Sequence, residues 1–125
     1  MKMLSRLTLA LVLTSSSAFG TQQVDAPKVT ATSPKHQARD VKSGPAVIRI
    51  EFDRPMRKDA YGMSVWPGFS TPEPTGPIRF SSDGRVYEIP VNLKPRSLYA
   101  FDIDGFRGMD GTPVIKYRLF FTTVD

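Results

Sequence analysis

The sequence predicts an all-β, immunoglobulin-like Greek-key β-sandwich of about seven strands, preceded by a cleaved signal peptide. Three observations carry this. Apolar and polar residues alternate in several short runs, most clearly Ala46 to Phe52, which is the period of a strand with one buried and one wet face. Turn-forming pairs such as Gly44-Pro45, Asp83-Gly84 and Asp110-Gly111 punctuate those runs. Leu93, Pro95 and Tyr99 then form a corner that feeds a closing hairpin, the arrangement of a tyrosine corner. No stretch after the N-terminal segment has helical periodicity of useful length.

Residues 1–20 read as the signal peptide. Lys2 and Arg6 precede an apolar run from Leu7 to Leu13, and Ala18 and Gly20 supply the small residues of a cleavage site. The run is far short of the roughly 20 residues of a spanning helix, so stable membrane insertion after cleavage is not expected. No Cys follows it, which excludes attachment through a lipobox cysteine. Residues 21–27 are expected to be a mobile polar lead, and 28–125 the sandwich.

Lys28 to Thr32 is a short first strand ended by Ser33-Pro34, because proline cannot donate to a ladder. Lys35 to Pro45 is a polar loop. In the next strand Ile48, Ile50 and Phe52 share the core face, and Val47, Arg49 and Glu51 the other. Pro55 ends that strand, and Met56 fills a gap beneath the loop. Tyr61, Met63 and Val65 alternate against Gly62, Ser64 and Trp66. Pro67 to Pro77 is rich in Pro and Gly and reads as a long irregular connection. Ile78 to Phe80 and Arg85 to Val91 flank the Asp83-Gly84 turn, where the backbone needs a positive φ. In the closing hairpin Tyr99, Phe101 and Ile103 point inward, as do Tyr117, Leu119 and Phe121. Asp102 and Asp104 fall on the wet face.

Composition narrows the function. The chain has no Cys, which removes thiol catalysis, zinc–thiolate sites and redox exchange. Loss of Lys2 and Arg6 with the leader lowers the formal charge from +5 to +3. That is a mild bias, and basic residues are interleaved with acids. The pattern fits a solvated mixed-charge surface or weak attraction to acidic envelope polymers. It does not fit nucleic-acid binding, for which no stacking platform is recognisable.

The ordered pieces Ile48-Arg49-Ile50-Glu51-Phe52-Asp53-Arg54-Pro55-Met56, Asp83-Gly84-Arg85-Val86-Tyr87, Leu93-x-Pro95-x-x-x-Tyr99, Asp110-Gly111-Thr112-Pro113 and Phe121-Thr122-Thr123 resemble the SbsA-type bacterial immunoglobulin-like domain, from about Pro27 to Val124. The resemblance implies a spacer or interaction module of surface, adhesion or envelope proteins. This chain departs from that pattern, since its domain stands without repeats. The Ser33-Pro34 and strand-Phe elements are also similar to periplasmic copper-resistance C-type carriers. That second resemblance implies a copper(II) site built from an N-terminal His with further His or Asp. The expected mature N-terminus is Thr21-Gln22-Gln23, and His36 is the single His, which cannot supply such an imidazole set. Met56, Met63 and Met109 are conceivable soft copper(I) ligands, with core packing as the plainer role for at least two of them.

No catalytic constellation is recognisable in the sequence. A Ser-His-Asp triad would have to use His36, and no Gly-x-Ser-x-Gly elbow exists. Asp102, Asp104 and Asp110 faintly fit a calcium loop but lack the closing Glu and helical frame of an EF-hand. Turn and edge chemistry is the competing role, and the sequence leaves the choice open. No cofactor or metal site is expected. The unusual surface element is Trp66-Pro67-Gly68-Phe69, running into Pro72, Pro74 and Pro77. Trp66 and Phe69 on a proline-stiffened loop make a low-entropy anchor for a partner; the competing role is a small satellite core. Leu93, Pro95 and Tyr99 are structural. The expected protein is a monomeric, non-catalytic, periplasmic or secreted domain that contacts an envelope protein or polysaccharide, with a copper carrier as the alternative.

Overall fold

A computed structural model describes residues 25–125. The signal peptide expected at 1–20 lies outside the described residues. Eight strands form: β1 (Val29–Ser33), β2 (Gly44–Phe52), β3 (Met63–Val65), β4 (Glu73–Pro74), β5 (Arg79–Phe80), β6 (Val86–Leu93), β7 (Leu98–Ile103) and β8 (Tyr117–Thr122). One antiparallel sheet runs β1-β2-β6-β4, with β5 also on β6, and the other runs β3-β7-β8. Their inner faces pack together as an immunoglobulin-like sandwich. No helix long and apolar enough to cross a membrane occurs among the described residues.

Period-two alternation builds the core. Ile48, Ile50 and Phe52 of β2 are buried, as are Tyr87, Ile89 and Val91 of β6. They meet Tyr99, Phe101 and Ile103 of β7 and Leu119 and Phe121 of β8 in one apolar cluster. Tyr99 stacks on Phe121 at 5.2 Å between ring centroids. Burial of each such side chain contributes about 1.5–3 kcal/mol.

Pro90 lies inside the central strand β6, where a proline normally breaks the ladder. Its carbonyl accepts from the Thr75 amide, so the side lacking an N–H faces the flank where β4 and β5 lie. On that flank β5 pairs at Tyr87 and Glu88, and β4 pairs at Val91 and Asn92. The neighbouring strand is thus split into two pieces around the missing donor. This is why the Pro67 to Pro77 connection contributes a two-residue strand where the sequence suggests only irregular chain.

The β7–β8 connection is more than the Gly- and Asp-rich turn expected from sequence. Phe106 is fully buried within it and packs on Tyr87 at 4.9 Å and Phe52 at 5.0 Å. Gly105 presses on Gly62, and a Cβ on Gly105 would sit 2.9 Å from the Gly62 Cα. Pro27 and Val114 are buried as well, and the Ile115 amide donates to the Pro27 carbonyl. Of the lead expected over 21–27, residues 25–27 are therefore seen in contact with the domain; Arg54 also holds Asp25.

Candidate functional site

The Trp66 to Phe69 element is a type II turn in its sequence and its bonding. Pro67 presets one φ, Gly68 takes φ +86°, and the Phe69 amide donates to the Trp66 carbonyl at 3.2 Å. The turn is tied to the start of β7. The Trp66 amide donates to the Ala100 carbonyl, and the Ser70 amide to the Leu98 carbonyl at 2.9 Å. Trp66 and Phe69 are both half-buried.

Trp66 lies on the outer face of the β3-β7-β8 sheet. Its ring is covered by the Arg118 guanidinium, 3.5 Å from the centroid, a geometry that favours the cation over the negative face of the indole. Arg118 stands opposite Asp102 in the β7–β8 register. Its Nε donates to the Asp102 carboxylate at 2.9 Å. The Arg118 bond holds the Asp102 carboxyl below its ordinary value, against the opposing effect of burial. Asp102 is only 6% exposed. This corrects its assignment to the wet face: the outer face at that point is roofed by Trp66 and Arg118.

The other two acids of the suggested calcium loop have separate tasks. Asp104 accepts from the Ser64 hydroxyl at 2.8 Å, and Asp110 accepts from the Thr112 amide at 2.9 Å. No group of three or more metal-ligating His, Cys, Asp or Glu occurs among the described residues. Of the methionines, Met56 is buried, Met63 packs on the core, and Met109 is 67% exposed. His36 is exposed and sets its ring edge-on to Tyr117 and Phe120.

The corner residues lie nearby. Leu93 and Tyr99 are buried, and Pro95 is exposed. The Tyr99 hydroxyl accepts from the Lys94 amide at 2.8 Å. Thr123 ties the same corner to the end of β8, taking a bond from the Ser97 amide at 2.9 Å and donating to the Lys94 carbonyl.

Two grooves flank these residues. One, of about 570 Å³, runs past Phe69, Ser70, Thr71 and Asn92, with Glu73 and Lys94 among its walls. Phe69 is its aromatic wall, Ser70, Thr71 and Asn92 offer hydroxyl and amide groups, and Pro72 and Pro74 add apolar surface. The other, of about 440 Å³, is apolar and opens between Tyr61, Met63, Ile78, Tyr87 and Phe101. Burial and the nearby Tyr61 push the Tyr87 hydroxyl up to about 12. A further cavity of about 670 Å³ lies under Met109 and beside the Arg57–Asp59 ion pair.

The sequence alone singles out Trp66 and Phe69 as candidates but not the side chains that pack around them. Arg118 and Asp102 alternate outward on neighbouring strands, and only the hairpin register brings them to the indole. Asn92 and Lys94 join Phe69 because β6 runs past the turn, a long-range relationship with no local signature.

No protein-family model and no curated protein sequence matches the chain. Solved structures do share its fold. CopC from Methylosinus trichosporium OB3b superposes with a TM-score of 0.60 at 11% identity, covering 78% of this chain and 93% of that one. PcoC, a methionine-rich copper resistance protein from Escherichia coli, gives 0.57 at 16% identity, covering 78% and 98%. The N-terminal part of the bacterial S-layer protein SbsC gives 0.55 at 18% identity, covering 87% of this chain and 26% of that one. The fold neighbours thus include both kinds of protein that the sequence resembles, and this chain has the immunoglobulin-like β-sandwich they share.

Proposed function

We propose that this chain is an exported, non-catalytic immunoglobulin-like domain that works by contact in the bacterial cell envelope, through the surface around Trp66 and Phe69. The observation that carries this reading is the fixed Trp66–Arg118–Asp102 stack beside the Phe69 groove. An aromatic residue held in place before contact loses little entropy when a partner arrives. Envelope location accords with the S-layer and copper-resistance neighbours and with the N-terminal leader pattern. Photo-crosslinking in cells from position 71, an exposed residue of the groove wall, with and without Phe69→Ala in the same chain, tests it. Capture of one defined envelope component that is lost in Phe69→Ala supports the reading. Absence of any specific adduct overturns it.

A second reading, a periplasmic copper carrier, is favoured by coverage. The chain matches nearly the full length of CopC and PcoC but a quarter of the SbsC fragment. The donor set does not fit copper(II). The whole sequence has one His and no Cys, and His36 is placed against two aromatic rings without a second imidazole to join it. Copper(II) titration of the chain lacking residues 1–20 is expected to give no submicromolar site; such a site, dependent on His36, would establish the carrier.

A further inference from the structure

The net charge of the described residues is gathered at one place. The segment following β1 lies along the end of β8: the Thr122 amide donates to Ala38, Val41 to Thr122, and Val124 to Val41. The Arg96 amide meets the Val124 carbonyl from the corner side. These contacts bring Lys35, Arg39, Lys42, Lys94 and Arg96 around the end of β8, all exposed, with Asp40 and Asp125 as the acids among them. This pole carries +3. The other described residues hold ten basic and ten acidic side chains and balance. Half of the ten basic residues elsewhere lie in ion pairs, namely Arg49, Arg54, Arg57, Arg79 and Arg118. At the pole only Arg96 has one, to Asp125.

The groove beside Phe69 opens onto this pole. Lys94 belongs to both, and the Ser70–Leu98 bond fixes the groove wall next to the corner. Glu73 offsets Lys94 within the groove itself, so the positive potential lies at the Lys94 end. Two hydroxyls and one side-chain amide, set beside one aromatic ring and two prolines, suit sugar hydroxyls on one side and the apolar faces of sugar rings on the other. A bilayer would ask for exposed apolar side chains, and the only large one at the pole is Val124, at 41% exposure. A surface with an excess of one sign of charge raises the local concentration of opposite charge and speeds encounter.

We propose that the Phe69 groove and the basic pole together bind an acidic polysaccharide, with sugar rings along Phe69 and Asn92 and the anionic groups at Lys94, Lys42 and Arg39. This rests on the contact role proposed above and names its ligand class. The charges set affinity through steering and fixed attraction, and the groove sets the preference for a sugar chain over other polyanions.

The test measures binding of the full domain, residues 21–125, to alginate, to uncharged dextran, and to vesicles of anionic phospholipid, at low and physiological ionic strength. Binding to alginate is expected to exceed dextran and to weaken with salt, since the screening length shrinks to about 8 Å at physiological strength. The double variant Lys42→Glu/Lys94→Glu changes two exposed side chains and turns the pole from +3 to −1. It should keep its melting temperature and lose about tenfold or more in alginate affinity. Phe69→Ala should weaken alginate binding without changing its salt dependence. Equal binding of dextran and alginate, no effect of the charge reversal, or stronger binding to vesicles each overturns the acidic-polysaccharide assignment. The crosslinking experiment decides the broader contact role separately, because a protein adduct at position 71 that is lost with Phe69→Ala would uphold that role while alginate fails to bind.

Discussion

The Arg118 guanidinium lies 3.5 Å over the Trp66 ring, and the same side chain is anchored by the buried Asp102 carboxylate. One arginine therefore joins a strand-end indole to the middle of the closing hairpin. Loss of Arg118 removes a cation–π contact and leaves Asp102 without its charged partner. Because Arg118 is 46% exposed, solvent screening keeps the cost modest, and Arg118→Ala should destabilise by about 1–2 kcal/mol. Trp66 is the only tryptophan, so its emission should shift to longer wavelength in the variant while the chain remains folded. Urea titration and emission spectra check both outcomes.

Asp102 also gives the domain an acid-side pH dependence. Its folded-state value lies below the ordinary 3.8, so its contribution to stability is fully present above the unfolded value. That contribution fades as pH falls through the folded value. Asp53 is lowered in the same sense, chiefly by its bond from Arg54. Melting temperature should fall as pH is taken below about 4, and Asp102→Asn should make that fall shallower. An unchanged acid profile in Asp102→Asn would show that the ion pair contributes nothing.

Tyr99→Phe removes the acceptor for the Lys94 amide while leaving the ring in the core. The expected cost is about 1–2 kcal/mol, the penalty of losing a bond at a poorly hydrated corner. Equilibrium unfolding of the variant measures it.

Gly105→Ala places a methyl group against the Gly62 backbone, at 2.9–3.0 Å from three of its atoms. Backbone on backbone cannot yield as a flexible side chain does, so a loss of about 1–3 kcal/mol is expected. Gly111→Ala has open space around its Cβ but φ +89°; it should lose stability through conformation alone. Comparing the two by thermal melting separates crowding from backbone strain.

Phe106→Ala empties a fully buried site between Phe52 and Tyr87. The loss should be about 3–5 kcal/mol, read from the midpoint in denaturant. A smaller loss than that of an exposed-site control such as Met109→Ala would mean that the connection does not belong to the core.

Alternation made the sandwich legible. The core faces of β2, β6, β7 and β8 can be read from residues two apart, because a strand's side chains take turns across the sheet. Phe106 and Val114 escape that rule, since they sit among glycines and turns where no period exists. Asp102 was misplaced for a related reason. Alternation assigns a residue to the outer face, but only tertiary packing decides whether that face is wet, and Trp66 and Arg118 keep it dry. The basic pole is invisible in the one-dimensional charge pattern. Lys42 and Lys94 are far apart along the chain, and the β2–β6 register, which pairs Gly44 with Leu93, together with the contacts along the end of β8 brings their segments to one end of the sandwich.

The interruption at Pro90 has a bearing on how such a molecule behaves in company. A sheet margin made of two short pieces with a gap between them offers no continuous template on which another molecule could extend a ladder. Strand-to-strand joining of two copies is therefore disfavoured at this margin, and the other end strands, β1, β3 and β8, are where such a contact would have to form.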